Sequence, residues 1–220
     1  MLNENEKSFV RNLVRNELRL DTRQIHVSRR VEKRGLNCLG YEYSLQFRKG
    51  NSIIEIFVIF LENDTFLSQL KEREIKSQPS LTINYEFPFD IQKYFNDFFS
   101  ETKLSLKLEI KIIKNDGSIL SLIINSIKEI LSDIKVPFFV PNYFESVKKY
   151  DFPFAYEIGI IDGIFLNDPN LKEEESSDGC YFFLVKDNEV KEFIFKGKKG
   201  ISLCEINKNL SHIKNELFKK

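Results

Sequence analysis

The sequence predicts an α+β fold, mixed sheets packed with helices, and two observations carry that prediction. Runs such as "YEYSLQF" (41–47), "LTINYEF" (81–87) and "LSLKLEIKII" (104–113) alternate apolar and polar residues, the period of a half-buried strand. Three other stretches, residues 5–18, 119–134 and the segment from Ser202 onward, place apolar residues at three- and four-residue steps, the period of a helix. No linker and no internal repeat interrupts the chain, so one domain over residues 1–220 is the economical organisation. In it, 1–23 supply a first helix with an arginine motif and 202–220 a last helix.

Taken in order, Phe9, Val10, Leu13, Val14 and Leu18 make the apolar face of the first helix, with Arg11 and Arg15 opposite. "YEYSLQF" and "IIEIFVIF" flank the turn "RKGNS" (48–52), which predicts a β-hairpin. Polar residues 62–80, ending near Pro79, read as a loop. "IQKYFNDFF" (91–99) steps as a short helix, and "KNDGS" (114–118) turns the strand 104–113 into the helix 119–134, whose stripe holds Leu120, Ile123, Ile124, Ile127, Ile130, Leu131 and Ile134. Pro137, Pro141 and Pro153 punctuate a loop-rich connection. "AYEIGIIDGIFL" predicts two strands about Asp162–Gly163, and "CYFFLVK" with "VKEFIFK" a second pair about Asp187–Asn188. Ser202 and Glu205 suit a capping box, ahead of a stripe of Ile206, Leu210, Ile213 and Leu217.

Lys and Arg number 33 and Asp and Glu 33, so bulk electrostatics do not mark a coat for nucleic acid. The basic residues are nevertheless concentrated: eight of nine arginines lie within residues 1–50, and the ninth is Arg73. The opening "MLNENEKSFV" is polar, unlike a secretory leader, and "IFVIFL" is too short to span a bilayer. With three unpaired cysteines (Cys38, Cys180, Cys204), these features predict an intracellular chain of reduced, buried thiols, Cys38 being the one placed in a loop. His26 and His212 stand alone, without metal-ligand spacing. "RKGNS" and "FKGKKG" lack the glycine spacing of a phosphate loop.

Two regions invite a functional reading. "FLNDPNLKEEESSDG" (165–179) gathers five carboxylates, which suits either turn formation and charge pairing or a hard cation such as Mg²⁺. Arg11, Arg15, Arg29, Arg30, Lys33 and Arg34 form the basic N-terminal region, which suits either a solvated face or contact with RNA phosphate.

Three words in this order resemble the RNase PH family: "RLDTR" (Arg19–Arg23), resembling its Arg-x-Asp-Gly-Arg motif; "LEIKIIKNDGSILSLIINSIKEILSDIKVP", resembling its central strand–turn–helix with Asp116 and Gly117 at the turn; and "LNDPNLKEEESSDG", resembling its Asp-Pro-x-x-x-Glu-Glu segment. The resemblance runs from about residue 5 to 215 and leans toward ring subunits of the eukaryotic exosome core. It implies a ribosomal protein S5 domain 2-like fold. It assigns Arg19, Asp21, Arg23, Asp116, Gly117, Asp168, Pro169, Glu173 and Glu174 to structural positions of the family motif. Thr22 stands where that motif has Gly; if the position needs a positive φ, the loop has changed shape.

Active members of the family shorten RNA from its 3′ end by phosphorolysis, using arginines before the central strand and in the turn after it. Here "NYEFPFDIQKYFNDFFSETK" (84–103) has no Arg, and Ser118 and Ile119 stand where Thr and Arg follow in the turn. Lys93, Lys114 or Lys128 offer point charges without the guanidinium fork. The expectation is a non-catalytic chain with no cofactor and no metal, its acidic segment a vestige at a surface or a subunit contact.

The resemblance further implies a hetero-hexameric ring of RNase PH-like subunits, cap subunits with RNA-binding domains, RNA in a central channel, an associated hydrolytic nuclease and no membrane. Its implied location is nucleus, including nucleolus, and cytoplasm. Such subunits often carry a long C-terminal tail where this sequence reads "NELFKK", so functions of a tail are expected to be absent here or carried elsewhere. Two alternatives stay open: an active phosphate-dependent 3′-to-5′ exoribonuclease with a lysine-based site, and an α+β protein interaction module unrelated to RNA. The Phe and Ile content predicts an apolar interface exposed on the isolated protein.

Overall fold

A computed structural model describes residues 2–61, 81–102, 105–134, 150–197, and 202, 204, 206, 207 and 211. In chain order its elements are α1 (Glu4–Arg15), β1 (Val31–Gly35), β2 (Tyr43–Lys49), β3 (Ser52–Phe60), β4 (Leu81–Ile83), a 3-10 turn (Gln92–Tyr94), α2 (Asn96–Thr102), β5 (Leu106–Lys114) and α3 (Ile119–Asp133). There follow β6 (Phe154–Ile161), β7 (Ile164–Asn167), α4 (Leu171–Ser176), β8 (Gly179–Lys186) and β9 (Glu189–Gly197). The fold is α+β, as the alternating and helical periods predict. The chain groups into two compact units, one of Met1–Arg29, Asp116–Ser121 and Ala155–Lys220, the other of Arg30–Asn115 and Leu122–Phe154.

The second unit holds a five-stranded sheet in the order β1-β2-β3-β5-β4, antiparallel except for the parallel β4–β5 pair. Registry sets Phe47 beside Ile54 and Ile56 beside Ile110, and all four are buried. The predicted stripe of the central helix is buried along α3 from Leu120 to Leu131. The strand expected over 81–87 ends at Ile83, because the Asn84 side chain takes over the ladder and its Oδ1 accepts the Ile110 N–H at 2.7 Å. The helix expected over 91–99 divides into the 3-10 turn and α2. β1 was not predicted: all five of its residues are exposed, so pairing with β2 rather than hydrophobic period fixes it.

In the first unit, a capping box between Asn3 and Glu6 starts α1, and Val10 and Val14 pack with Ile25, Ile161 and Leu166. The helix stops at Arg15, short of the expected Leu18, because Glu17 takes a φ of +58°. The Leu18 and Glu17 N–H groups then close back on the Leu13 and Val14 carbonyls, a Schellman motif. Phe9 and Leu18 are left exposed on this unit.

The four-stranded sheet of the same unit runs β7-β6-β8-β9, with Tyr181 and Phe183 buried against Ile158, Ile160, Phe193 and Phe195. Both predicted hairpin turns have two successive residues with φ near +50 to +79°, Asp162–Gly163 and Asp187–Asn188, as type I′ turns require. The loop at 62–80 and the connection 135–149 lie outside the described residues, as do Glu205, Leu210, Ile213 and Leu217 of the expected last helix. Among the described residues no helix is long and apolar enough to cross a membrane.

A buried ion-pair cluster as candidate functional site

The acidic segment folds because of its own sequence. Asn170 caps α4: its Oδ1 accepts the Glu173 N–H at 3.0 Å, while Glu173 Oε2 accepts the Asn170 N–H at 2.9 Å. This Asn-x-x-Glu signal was legible in "NLKE" and is what turns an expected acidic loop into a helix. The box also fixes the Glu173 carboxylate inside the protein at 0% exposure.

Arg19 meets it there. Its Nε and Nη2 donate to the two Glu173 oxygens at 2.9 and 2.5 Å, and its Nη1 and Nη2 donate to the Asn167 and Asp168 carbonyls at 2.8 and 3.0 Å. Such a two-pronged pair fixes angle as well as distance. Asp168, at a φ of +54°, receives Arg29 in the same way, Nε at 2.8 Å and Nη2 at 2.9 Å, plus the Arg29 backbone N–H at 2.8 Å. Arg29 also donates to the carbonyls of Asp116, Gly117 and Pro169. Burial disfavours its charge, but the bonds and field of Asp168, helped by Asp116, outweigh that and raise its pKa. Arg23 pairs with Asp21 at 2.7 Å and Asp168 at 3.2 Å; burial, then the neighbouring Arg19 charge, lowers its pKa.

The turn before α3 is pressed onto the same segment. A Cβ on Gly117, at a φ of +81°, would lie 2.5–2.6 Å from backbone atoms of Pro169, Asn170 and Leu171. Ser118 Oγ donates to the Pro169 carbonyl at 2.9 Å, and the Ser118 N–H donates to Glu174 Oε1 at 2.5 Å. The Ser121 N–H donates to Glu157 Oε1 at 2.6 Å. The helix N-terminus, where backbone donors and the helix dipole favour an anion, is therefore served by two carboxylates of this chain. Glu157 had no sequence signal, being one polar residue in an alternating strand.

The arginine motif (19–23), the Asp116–Gly117 turn and the Asp168–Glu174 segment thus meet in one cluster. Three expectations change. The acids were placed at a surface, but Asp168 is buried and Glu173 fully so, because arginines accompany them inside. The loop at Thr22 was expected to change shape; instead Thr22 holds a φ of +64°, with its N–H on the Arg19 carbonyl at 3.0 Å and both flanking arginines anchored. Arg29 was grouped with an RNA-facing patch, but its side chain is internal and its nitrogens are engaged by Asp168 and three carbonyls.

The other basic candidates divide. Arg11 pairs with Asp162 at 2.8 Å and Asp178 at 2.6 Å, Asp178 chiefly raising its pKa, and Arg15 pairs with Asp162 at 3.0 Å. Lys33 pairs with Glu129 at 3.3 Å and with Asp133. Arg30 and Arg34 are exposed. Lys93 and Lys128 stand over the rings of Tyr94 and Phe154, and Lys114 is exposed. His26 is exposed, and His212 lies outside the described residues. The thiols expected to be buried are only partly so at Cys38 and Cys180, and Cys204 is exposed. Among the described residues no group of three or more His, Cys, Asp or Glu side chains is placed to hold a metal ion.

No protein-family model and no curated protein matches the chain. Solved structures do. An archaeal exosome core chain aligns with a TM-score of 0.64 at 15% identity, over 97% of this chain and 96% of that one. A chain of the Archaeoglobus fulgidus exosome with RNA bound to the active site gives 0.59 at 14%, over 97% and 96%. Rice (Oryza sativa) Rrp46 gives 0.56 at 14%, over 90% and 92%. The fold is that of RNase PH-like exosome subunits.

Proposed function

We propose that this chain is a non-catalytic ring subunit of an exosome core, supporting 3′-to-5′ RNA processing and degradation by shaping the RNA channel and binding neighbouring subunits. End-to-end likeness to exosome core chains supports the assembly. The observation that carries the non-catalytic half is the closed cluster: Asp168 and Glu173 are each held by a two-pronged arginine, and the Ser118 and Ser121 N–H groups before and within α3 are taken by Glu174 and Glu157. Phosphorolysis needs cations and donors left open for phosphate. Here the nearby donors answer internal acids.

Its partners in this reading are other RNase PH-like subunits in a hetero-hexameric ring, RNA-binding cap subunits, RNA in the channel, and a hydrolytic nuclease that does the chemistry. The words "NEKSF…RLDTRQ" and "DPNLKEEESSDG" favour the ring position of the polymyositis–scleroderma autoantigen, acting in nucleus, nucleolus and cytoplasm. Affinity purification of the tagged protein with mass spectrometry tests the assembly: RNase PH-like chains and cap subunits should come down in comparable amounts. Recovery alone or with unrelated proteins would reject it. Release of nucleoside diphosphates from an RNA 3′ end, dependent on inorganic phosphate and on this chain, would reject the non-catalytic half.

A further inference from the structure

Six cations of the N-terminal region are candidates for contact with RNA phosphate, and the structure sorts them by what they already hold. Arg11, Arg15, Arg29 and Lys33 are committed to carboxylates of this chain. Arg30 and Arg34, flanking and within β1, are exposed and form no ion pair among the described residues. β1 is an edge of the five-stranded sheet, paired on one side with β2. Registry sets Arg48 directly across from Glu32 and Gln46 across from Arg34. Opposite charges facing each other across a ladder attract, although Arg48 Nε itself donates to the Gly50 carbonyl at 2.8 Å; Arg30 and Arg34 set two exposed positive charges against Glu32, the one acid of that strand. Four residues of extended chain span at most about 14 Å, a reach that touches more than one phosphate of an extended strand.

We infer that the exposed edge strand β1, through Arg30 and Arg34, holds the phosphodiester backbone of single-stranded RNA. The partner class follows from the surface. Guanidinium forks match phosphate oxygens. Val31 is the only large apolar side chain on the strand, whereas a protein interface builds its centre from apolar and aromatic groups. Charges on an edge strand also oppose pairing with another polypeptide strand. The inference rests on the RNA-channel reading above, and it narrows that reading to two residues.

The test compares the full-length chain with an R30Q/R34Q variant, titrating a fluorescent single-stranded RNA across a salt series by anisotropy. The log–log salt slope should fall by about 1.4, since each lost single-strand phosphate contact removes about 0.7. Affinity at low salt should drop by roughly tenfold. An R11Q/R15Q variant should lower the melting temperature and leave the slope in place. An unchanged slope in R30Q/R34Q, or no salt-dependent RNA binding by the natural chain, overturns the inference. Equal competition by polyglutamate of matched charge also overturns it, in favour of an acidic protein partner. The same two variants are tagged and purified from cells. If ring partners are absent with the natural chain but the slope still changes, the ring reading fails and the RNA surface stands.

Discussion

Replacing Arg19 by Met tests whether the cluster is held as a unit. Both partners of the Arg19–Glu173 pair are fully buried, at 0% side-chain exposure. Removing the guanidinium leaves a buried carboxylate with, among the described residues, only the Asn170 N–H as hydrogen-bond donor, a loss of about 3–5 kcal/mol. The Asn167 and Asp168 carbonyls also lose a donor each. Against a total stability of about 5–15 kcal/mol for a domain, R19M should move the urea midpoint down by more than about 1 M. E173L should cost a similar amount by stranding Arg19.

The double variant R19M/E173L strands no charge. What remains is the Asn167 carbonyl and the Asn170 N–H without these partners, at about 1–3 kcal/mol each where burial is complete, while the Asp168 carbonyl keeps the Arg23 Nη2 donor at 3.2 Å. Its loss should therefore be close to that of one single variant rather than the sum of two, a coupling of about 3 kcal/mol. Urea unfolding followed by circular dichroism reads all three proteins. Additive losses, or a cost below about 1 kcal/mol for R19M, would refute the view that the pair is desolvated and cooperative.

Thr22→Gly should stabilise by about 0.5–1 kcal/mol: it removes about 1–2 kcal/mol of left-handed strain for a β-branched residue and gives back part through the freer unfolded chain; a lower urea midpoint would count against the strain. Gly117→Ala should destabilise by about 2–5 kcal/mol, because the new Cβ meets backbone at 2.5–2.6 Å and the φ of +81° suits Gly; a melting temperature equal to the natural chain's would show that the turn yields. Burial pushes the Cys180 thiol from 9.0 up to about 11, with Ser177 only partly opposing. At pH 8 iodoacetamide should therefore label exposed Cys204 well before Cys180. A folded pKa above the unfolded one means the folded state keeps its proton longer, so this contribution is complete below about pH 9 and is lost as pH rises toward 11. Stability measured over that window should fall less in Cys180→Ala, and an identical fall would refute the assignment.

How much of this was legible depended on whether a residue's partner is near in sequence. α3 and the hairpins at 162–163 and 187–188 follow from local period and turn chemistry, and they lie where the sequence predicts. β1 does not, since "VEKRG" has no buried face and exists as a strand only because β2 is beside it. The site divides in the same way. The acidic segment and the arginine motif stand out as words, but their pairing joins Arg19 to Glu173 across 154 positions, and Arg29 to Asp168 across 139. No spacing rule within either word reports that distance. Thr22 misled for a related reason. Its local preference argues against a positive φ, while the anchored arginines on both sides impose one, and imposed geometry of this kind persists when the surroundings over-determine it.

The closed cluster is also what the proposed non-catalytic reading rests on. A site for inorganic phosphate and a terminal RNA phosphate needs surplus positive charge and donors that face outward. Here Arg19, Arg23 and Arg29 meet Asp21, Asp116, Asp168 and Glu173, so internal carboxylates outnumber the guanidiniums they meet. The donors of the turn before α3 are turned toward Glu174 and Glu157. Adding phosphate there would bring further negative charge to groups already neutralised. The same contacts join the arginine motif, the Asp116–Gly117 turn and the acidic segment to one another. In the proposed reading, charge that would serve phosphate binding serves rigidity instead, and of the six candidate cations Arg30 and Arg34, beside and within β1, form no ion pair among the described residues.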